Sequence, residues 1–117
     1  MRHLRKVKKL NKVKSHRDSM LKNLAASVIQ YEEVKTTEAK AKAVSSLIDR
    51  IITVGKANDL NARRRLYMML PTKLSANKVL DVLNERYKDR NSGFTSIVHI
   101  GVRKGDNSRV VKIRLID

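Results

Sequence analysis

The sequence predicts an α+β fold in which four helices pack on one face of a small mixed β-sheet, with a C-terminal β-hairpin and an extended basic N-terminal arm. Apolar residues recur every three or four positions between residues 20 and 87, and this interval changes to two after Phe94. Residues 1–22 carry nine Lys or Arg and one acid, Asp18. A segment with this much charge is not expected to fold around a core of its own. A chain of 117 residues can bury one core, so we expect a basic arm at residues 1–14 and a single globular domain at residues 15–117.

The first helix is expected to begin at Ser15, because Ser15 stands three residues before Asp18 and just ahead of an apolar run, the spacing of a capping box. Asp18 would then also lie where the helix dipole favours an acid. An apolar stripe continues to the end of this helix near Glu32. It consists of Met20, Leu21, Leu24, Ala25, Val28 and Tyr31.

A short β-branched segment, residues 34–37, predicts a brief strand. The second helix should begin at Glu38 and end at Gly55, which we interpret as its C-terminal cap. Between them lies the most apolar helical face of the chain, which should supply the largest part of the core. That face is Ala43, Val44, Leu47, Ile48, Ile51 and Ile52.

Capping residues and a proline predict two further helices. Asn58 or Asp59 can cap a third helix, which Pro71 stops. Thr72 or Ser75 can open a fourth, whose inner stripe is Ala76, Val79, Leu80, Leu83 and Tyr87. The three tyrosines of the chain fall on apolar helical stripes, so we expect Tyr31, Tyr67 and Tyr87 to pack in the core.

The residues after Phe94 alternate as a β-hairpin does. One predicted face holds Phe94, Val98, Ile100 and Val102, and after a turn another holds Val111, Ile113 and Leu115. The opposite face of the last strand carries Lys112 and Arg114, so we expect that side of the sheet to meet water or phosphate. His99 should lie exposed on the polar side of its strand.

The composition argues against several classes of protein. The chain has no Cys and three scattered His, so we expect no disulfide and no metal ion. It shows no phosphate-binding glycine loop, nucleophile motif or acid/base pair, which predicts a protein that is not an enzyme and has no cofactor or small-molecule substrate. No apolar run is long enough for a membrane span or a secretory signal, so a cytoplasmic location is expected. A mitochondrial transit peptide is a minor alternative for the arm.

The charge points to a polyanionic partner. The net charge is +16 with a pI near 10.6, and nucleic acid is the polyanion that such proteins typically bind. Three basic clusters are candidates for contact: the arm, the Arg63–Arg65 run, and the hairpin turn around Arg103 and Lys104. With three Tyr, one Phe and no Trp, recognition should depend on charge and shape more than on base stacking.

Several strings, in order and nearly end to end, carry a family resemblance. They are MRH, KLN at residues 9–11, SHR at 15–17, LKNLAASVI, VKTTEAKAKA, NARRR and DRNSGFTSIVHIGVRKGD. Together they resemble the bacterial large-subunit ribosomal protein of the seventeen family. The sequence departs from the family pattern at Leu4, at Val7 and at residues 92–94.

The resemblance implies a structural constituent of the large ribosomal subunit, in a bacterial or organellar ribosome. It implies binding to large-subunit rRNA near the peptide exit tunnel, beside neighbouring large-subunit ribosomal proteins and without homo-oligomers. Taken with the charge pattern, it predicts these RNA contacts: Arg2, His3, Arg5, Lys6, Lys8, Lys9, Asn11, Lys12, Lys14, Ser15, His16, Arg17, Lys22, Asn23, Arg63, Arg64, Arg90, Arg103 and Lys104. The alternative from another class is a sequence-nonspecific DNA-binding protein of the nucleoid type, and an RNA-modifying enzyme is third.

Overall fold

Residues 8–117 are described by a computed structural model, so the contacts expected at Arg2, His3, Arg5 and Lys6 lie outside the described residues. The helices are α1 (Lys14–Tyr31), α2 (Glu38–Gly55), α3 (Leu60–Met69) and α4 (Lys73–Lys78), and α4 runs on through a π-helical turn (Val79–Leu83) into a last turn, α5 (Asn84–Arg86). The strands are β1 (Glu33–Thr37), β2 (Thr95–Val102) and β3 (Arg109–Leu115). The predicted α+β class with four helices and a C-terminal hairpin is confirmed.

The sheet is antiparallel throughout, which corrects the expectation of a mixed sheet. The strand order is β1-β3-β2, and β3 pairs antiparallel with both of its neighbours. The chain leaves β1 through three consecutive helices before it reaches β2, and the tight β2–β3 hairpin then places β3 between the other two strands. The last strand of the chain is therefore the central one.

The expected start of α1 is wrong by one residue and in its cap. The helix begins at Lys14, and its N-cap, Val13, makes no side-chain hydrogen bond. Ser15 is already inside the first turn, and the chain before the extended Val13 closes a turn from Lys9 to Lys12. Two consecutive residues of this turn, Leu10 and Asn11, have positive φ angles of 55° and 54°.

The core lies between the helices and the inner face of the sheet. On α1 the buried residues are Ala25, Ala26, Val28 and Ile29, and on α2 they are Ala41, Val44, Ile48, Ile51, Ile52 and Gly55. Tyr31 is 69% exposed, so its expected burial is wrong, because the buried stripe of α1 runs through Ile29 instead. Tyr67 is partly buried and Tyr87 is buried, as expected.

Gly55 does not cap α2 by a left-handed turn. It is the last residue of the helix, and Lys56 at the C-cap has φ −63°. A Cβ at Gly55 would lie 2.7 Å from Cγ1 of Val79. The glycine therefore allows the end of α2 to pack closely on the π-helical turn.

The caps of α3 and α4 follow the expected chemistry. The Asp59 side chain accepts a hydrogen bond from the amide of Ala62 at 2.7 Å. The Thr72 hydroxyl accepts one from the amide of Ser75 at 3.3 Å. The inner stripe predicted for the fourth helix is buried at all five positions.

The predicted face of β2 is wrong. Ile97 pairs with Ile113 and packs against the core, whereas Val98 pairs with Lys112 on the outer face. A bulge at Ile100 then shifts the register. Phe94 is fully buried but lies before the strand begins. Its burial therefore does not indicate which face of the sheet the strand residues occupy. Val98, Ile100 and Val102 are 46%, 49% and 56% exposed.

A candidate nucleic-acid interface

A groove follows the seam between α1 and α2 and reaches α3. It consists of three adjoining cavities of about 380, 240 and 390 Å³. Asp18 and Leu21 line both the first and the second cavity, and Leu47 and Arg50 line both the second and the third. Because neighbouring cavities share walls, they form one surface, which we call the α1–α2 groove.

Helices α1 and α2 contribute to both the core and the groove. Ala25 and Ala26 on α1 and Ala41 on α2 are buried in the core. Leu21 on α1 and Leu47 on α2 are only partly buried and line the groove.

The walls of the α1–α2 groove are strongly cationic. Seven of the lining residues are basic and one, Asp18, is acidic. The basic residues are Lys8, Lys14, Arg17, Lys22, Lys42, Arg50 and Arg65. Within residues 8–117, Lys42 alone among the seven has an ion pair, with Glu38 at 2.9 Å. The other six cations leave a positive field along the groove.

The start of α1 adds to this field. Its first turn contains Lys14, His16 and Arg17 and no acid, and its N-cap has no side-chain hydrogen bond. The positive end of the helix dipole and its unpaired amide groups attract anions and disfavour cations. The positive charges of Lys14 and Arg17 are therefore unfavourably placed in the isolated protein, and an external anion such as phosphate would offset that cost.

Two cations near the C-terminal end of α1 are paired with one acid. Glu32, at the end of α1, contacts Arg86 at 2.6 Å and Lys78 at 3.5 Å. The hydrogen bond from Arg86 is the main reason that the pKa of Glu32 lies below its usual value, with Lys78 contributing further. These pairs connect α1 to the fourth helix and leave little charge free for a ligand.

The acid at the start of α2 is paired in the same way. Glu38 contacts Lys42 and also Arg109 of β3, the latter at 3.6 Å. The hydrogen bond from Lys42 is the main cause of the lowered pKa of Glu38. Glu38 therefore links the groove side of α2 to the sheet.

Four of the predicted contact residues line the α1–α2 groove: Lys8, Lys14, Arg17 and Lys22. Seven others lie outside it on the surface, namely Lys9, Asn11, Lys12, Ser15, His16, Asn23 and Arg64. Of these only Lys12 is partly buried. The structure thus brings together a subset of the candidates and leaves the rest around the margin.

Two predicted contacts outside the groove, Arg63 and Arg90, have hydrogen-bond partners of their own. Arg63 donates to the hydroxyl of Tyr67 at 3.4 Å and to Oδ1 of Asn77 at 3.5 Å. Arg90 donates to the carbonyl of Gly93 at 3.0 Å. These hydrogen bonds link Arg63 of α3 to Asn77 of α4, and Arg90 to the loop before β2.

The hairpin turn is partly neutralised. Arg103 donates from Nε to Oδ1 of Asp106 at 3.0 Å, and a second bond joins Nη2 to Oδ2. This pairing, with help from the Ser108 amide, holds the pKa of Asp106 well below its usual range. Lys104 is exposed, so it is the more available of the two predicted cations at this turn.

Sequence reasoning missed three cations of the groove: Lys42, Arg50 and Arg65. Lys42, Ser46 and Arg50 follow one another at a spacing of four on the polar side of α2, and that stripe was visible in the sequence. The signal for Arg65 was weaker. The arginine run was recognised, but the sequence did not tell which of its members would lie beside α2.

Two negative findings apply to residues 8–117. No three His, Asp or Glu side chains come together there in an arrangement that could hold a metal ion. None of the helices in that range has the length and apolar character to cross a membrane.

Comparisons with known proteins all identify the same family. The family model of Ribosomal protein L17 matches residues 20–116. The chain is 41% identical over 117 residues to the large ribosomal subunit protein bL17 of Hyphomonas neptunium, covering all of this chain and 84% of that protein. It is 40% identical to bL17 of Ruegeria pomeroyi and 43% identical to bL17 of Rickettsia bellii, again over the whole chain and over 84% and 82% of those proteins. The chain belongs to the ribosomal protein L17 family.

Proposed function

We propose that this protein is a structural constituent of the large ribosomal subunit and binds large-subunit rRNA through the α1–α2 groove and its basic N-terminal residues. The observation that carries the proposal is the groove itself, where six cations without an ion pair within residues 8–117 line one continuous surface. Membership of the L17 family supplies the ribosomal context. The protein would act in the ribosome of the bacterial cytoplasm, near the peptide exit tunnel and beside other ribosomal proteins.

Phosphate neutralisation supplies the binding free energy. Each Lys or Arg that meets a phosphate releases a condensed counterion, and affinity therefore falls as salt rises. Arginines such as Arg17, Arg50 and Arg65 can also hold a phosphate by two hydrogen bonds. A groove with this lining reads the backbone and shape of folded RNA more than its base sequence.

Rigid helices set the spacing of these charges. Lys14, Arg17 and Lys22 are on α1, and Lys42 and Arg50 are on α2. Because both helices are anchored by fully buried residues, the backbone positions that carry these cations are fixed before RNA arrives. Preorganisation of this kind lowers the entropy cost of binding.

Co-sedimentation is the direct test. Ribosomal subunits are separated on a sucrose gradient after a high-salt wash, and the protein is detected with an antibody. We expect it in the large-subunit fraction. Recovery only in the free fraction, or equally in both subunits, would contradict the proposal.

The DNA-binding alternative is tested by competition. The basic charge alone would allow binding to duplex DNA, but a sequence-nonspecific DNA-binding protein would not discriminate between the two polymers. We expect large-subunit rRNA to displace the protein from duplex DNA of equal phosphate concentration. Equal retention on both would favour the nucleoid-type function.

The N-terminal residues are tested by deletion of residues 2–12. Each lost phosphate contact should reduce the slope of log affinity against log salt by about 0.7 to 0.9. An unchanged slope in an rRNA titration would mean that the arm makes no phosphate contacts.

A further inference from the structure

The third cavity of the α1–α2 groove differs from the other two in its lining, which includes two methionines and no acid. Its volume is about 390 Å³, and its lining combines three cations with three apolar side chains. The cations are Lys22, Arg50 and Arg65, and the apolar residues are Leu47, Met68 and Met69. Pockets of roughly 300–1,000 Å³ are large enough to enclose an organic ligand, so this one, which we call the methionine pocket, can accept more than a phosphate group.

Met68 is the unusual residue of the pocket. It is 75% exposed, the most exposed large apolar side chain among the described residues. Leu47 and Met69 are partly buried and pack against the core. The position of Met68 is supported from α1, since Nζ of Lys22 donates to the Met68 carbonyl at 3.3 Å. An apolar side chain held at the mouth of a cationic pocket is poorly matched to water or to a phosphate alone.

A nucleotide combines the two kinds of chemistry that this lining offers. Its base has an apolar, polarisable face, and methionine sulfur contacts such aromatic faces favourably. Its flanking phosphates are anionic and match Lys22, Arg50 and Arg65. A base that remains stacked in a helix cannot enter the methionine pocket, whereas a base in a bulge or a loop can.

On this basis, which rests on the proposed rRNA binding, we propose that the methionine pocket receives one unstacked nucleobase of the RNA, against Met68, Met69 and Leu47. Its two flanking phosphates lie on Lys22, Arg50 and Arg65. The groove as a whole then binds backbone, and this end of it selects RNA that presents an extruded base. The pocket would set the register of the protein on the RNA at a position where charge alone does not.

The proposal is tested with three RNA hairpins that share one stem sequence. Their affinities for the full chain are measured by fluorescence anisotropy. One is perfectly paired, the second carries a single bulged adenosine, and the third carries an abasic nucleotide at the bulge. The abasic hairpin has the phosphates and the flexibility of the bulge without its base. We expect the adenosine bulge to bind roughly two- to tenfold more tightly than either of the others.

Substitution assigns that preference to the pocket. Met68→Ala is expected to remove it and to leave the salt slope unchanged, since no charge is altered. Leu74→Ala is the matched control, because Leu74 is also a strongly exposed apolar residue, at 63%, and lies outside the groove. This control should keep the full preference.

The outcomes separate the two proposals. Equal binding of all three hairpins, or a preference that Met68→Ala leaves intact, would overturn the nucleobase pocket while salt-dependent binding still supports the proposed function. Failure to bind any hairpin, or binding without salt dependence, would overturn both.

Discussion

The α1–α2 groove and the junction around Glu32 both contain Lys and Arg, but only the junction pairs them with an acid. In the groove, Arg50 and Arg65 have no ion pair within residues 8–117. At the junction, Lys78 and Arg86 both contact Glu32 and join α1 to the fourth helix. The number of cations therefore does not identify an interface. What distinguishes a binding surface from a structural one is whether acids have been placed among the cations.

Helix α2 carries both the core and the groove, so it allows the strongest test of this comparison. Ile48→Asp should prevent folding, because Ile48 is fully buried and an unpaired carboxylate there costs several kcal/mol, comparable with the whole stability of about 5–15 kcal/mol. Ser46→Asp, two residues earlier in the groove, should fold normally and bind rRNA more weakly. Thermal melts and rRNA titrations distinguish them, and a folded Ile48→Asp variant would contradict this division of α2.

The close approach of α2 to the fourth helix gives the next largest effect. Gly55→Ala should destabilise the protein by about 1–3 kcal/mol, because the added Cβ would lie 2.7 Å from Cγ1 of the fully buried Val79. Alanine is otherwise favoured over glycine in a helix, so the sign of the effect is diagnostic. Urea unfolding measures it, with Gly105→Ala as the control because nothing lies within 4 Å of its Cβ. Unchanged or higher stability of Gly55→Ala would show that the contact can relax.

Two arginines of the groove, Arg50 on α2 and Arg65 on α3, test the groove itself. Arg50→Ala combined with Arg65→Ala should weaken rRNA binding roughly tenfold or more, since hydrogen bonds to charged groups are strong. Arg63→Ala combined with Arg64→Ala removes the same charge outside the groove and should weaken binding less. Both double variants should retain stability within ~0.5 kcal/mol. Equal loss of affinity in the two would mean that total charge, not the groove, determines binding.

The Glu32 junction should give the smallest effect and a characteristic pH dependence. Glu32→Gln removes both ion pairs and should cost up to ~1 kcal/mol at pH 7, because the Glu32 side chain is 40% exposed and its pairs are screened by water. Since folding lowers the pKa of Glu32, its contribution is present above the unfolded value of about 4.3 and is lost as the pH falls through the lower folded pKa.

Urea unfolding at a series of pH values checks this. The difference between the wild type and Glu32→Gln should be largest near pH 7 and disappear in acid. Glu85→Gln serves as the control, since Glu85 is exposed and has no ion pair within residues 8–117. A difference that persists below pH 3 would assign the effect to packing instead of charge.

Features that depend on near neighbours in the chain were predictable from the sequence alone. The periods of three to four and of two predicted the helices and the hairpin, and Asp59 and Thr72 cap their helices as their chemistry requires. Helix caps and apolar stripes act within one or two turns, so they are readable from a short window. The strong positive charge and the family strings were equally visible without a structure.

Contacts between distant residues depend on how the helices pack and could not be predicted from the sequence. The sequence predicted contact by Arg63, but packing places Arg63 against Tyr67 and Asn77 and brings Arg65 beside Lys22 and Arg50. Three consecutive helical residues point in three directions 100° apart, and the neighbours on α1 and α2 select among them. The partner of a charge depends on how helices pack, which no local pattern encodes.

The outer face of β2 shows the same limit. Alternation predicted one side for Val98, Ile100 and Val102, whereas pairing with β3 and the bulge at Ile100 put Val98 opposite Lys112. A shift of one residue moves a strand residue to the other face, and register is set by the partner strand as well as by the strand's own sequence. Local sequence therefore determined which segments are helix or strand, and long-range packing and pairing determined which of their faces meet the core, the groove or the solvent.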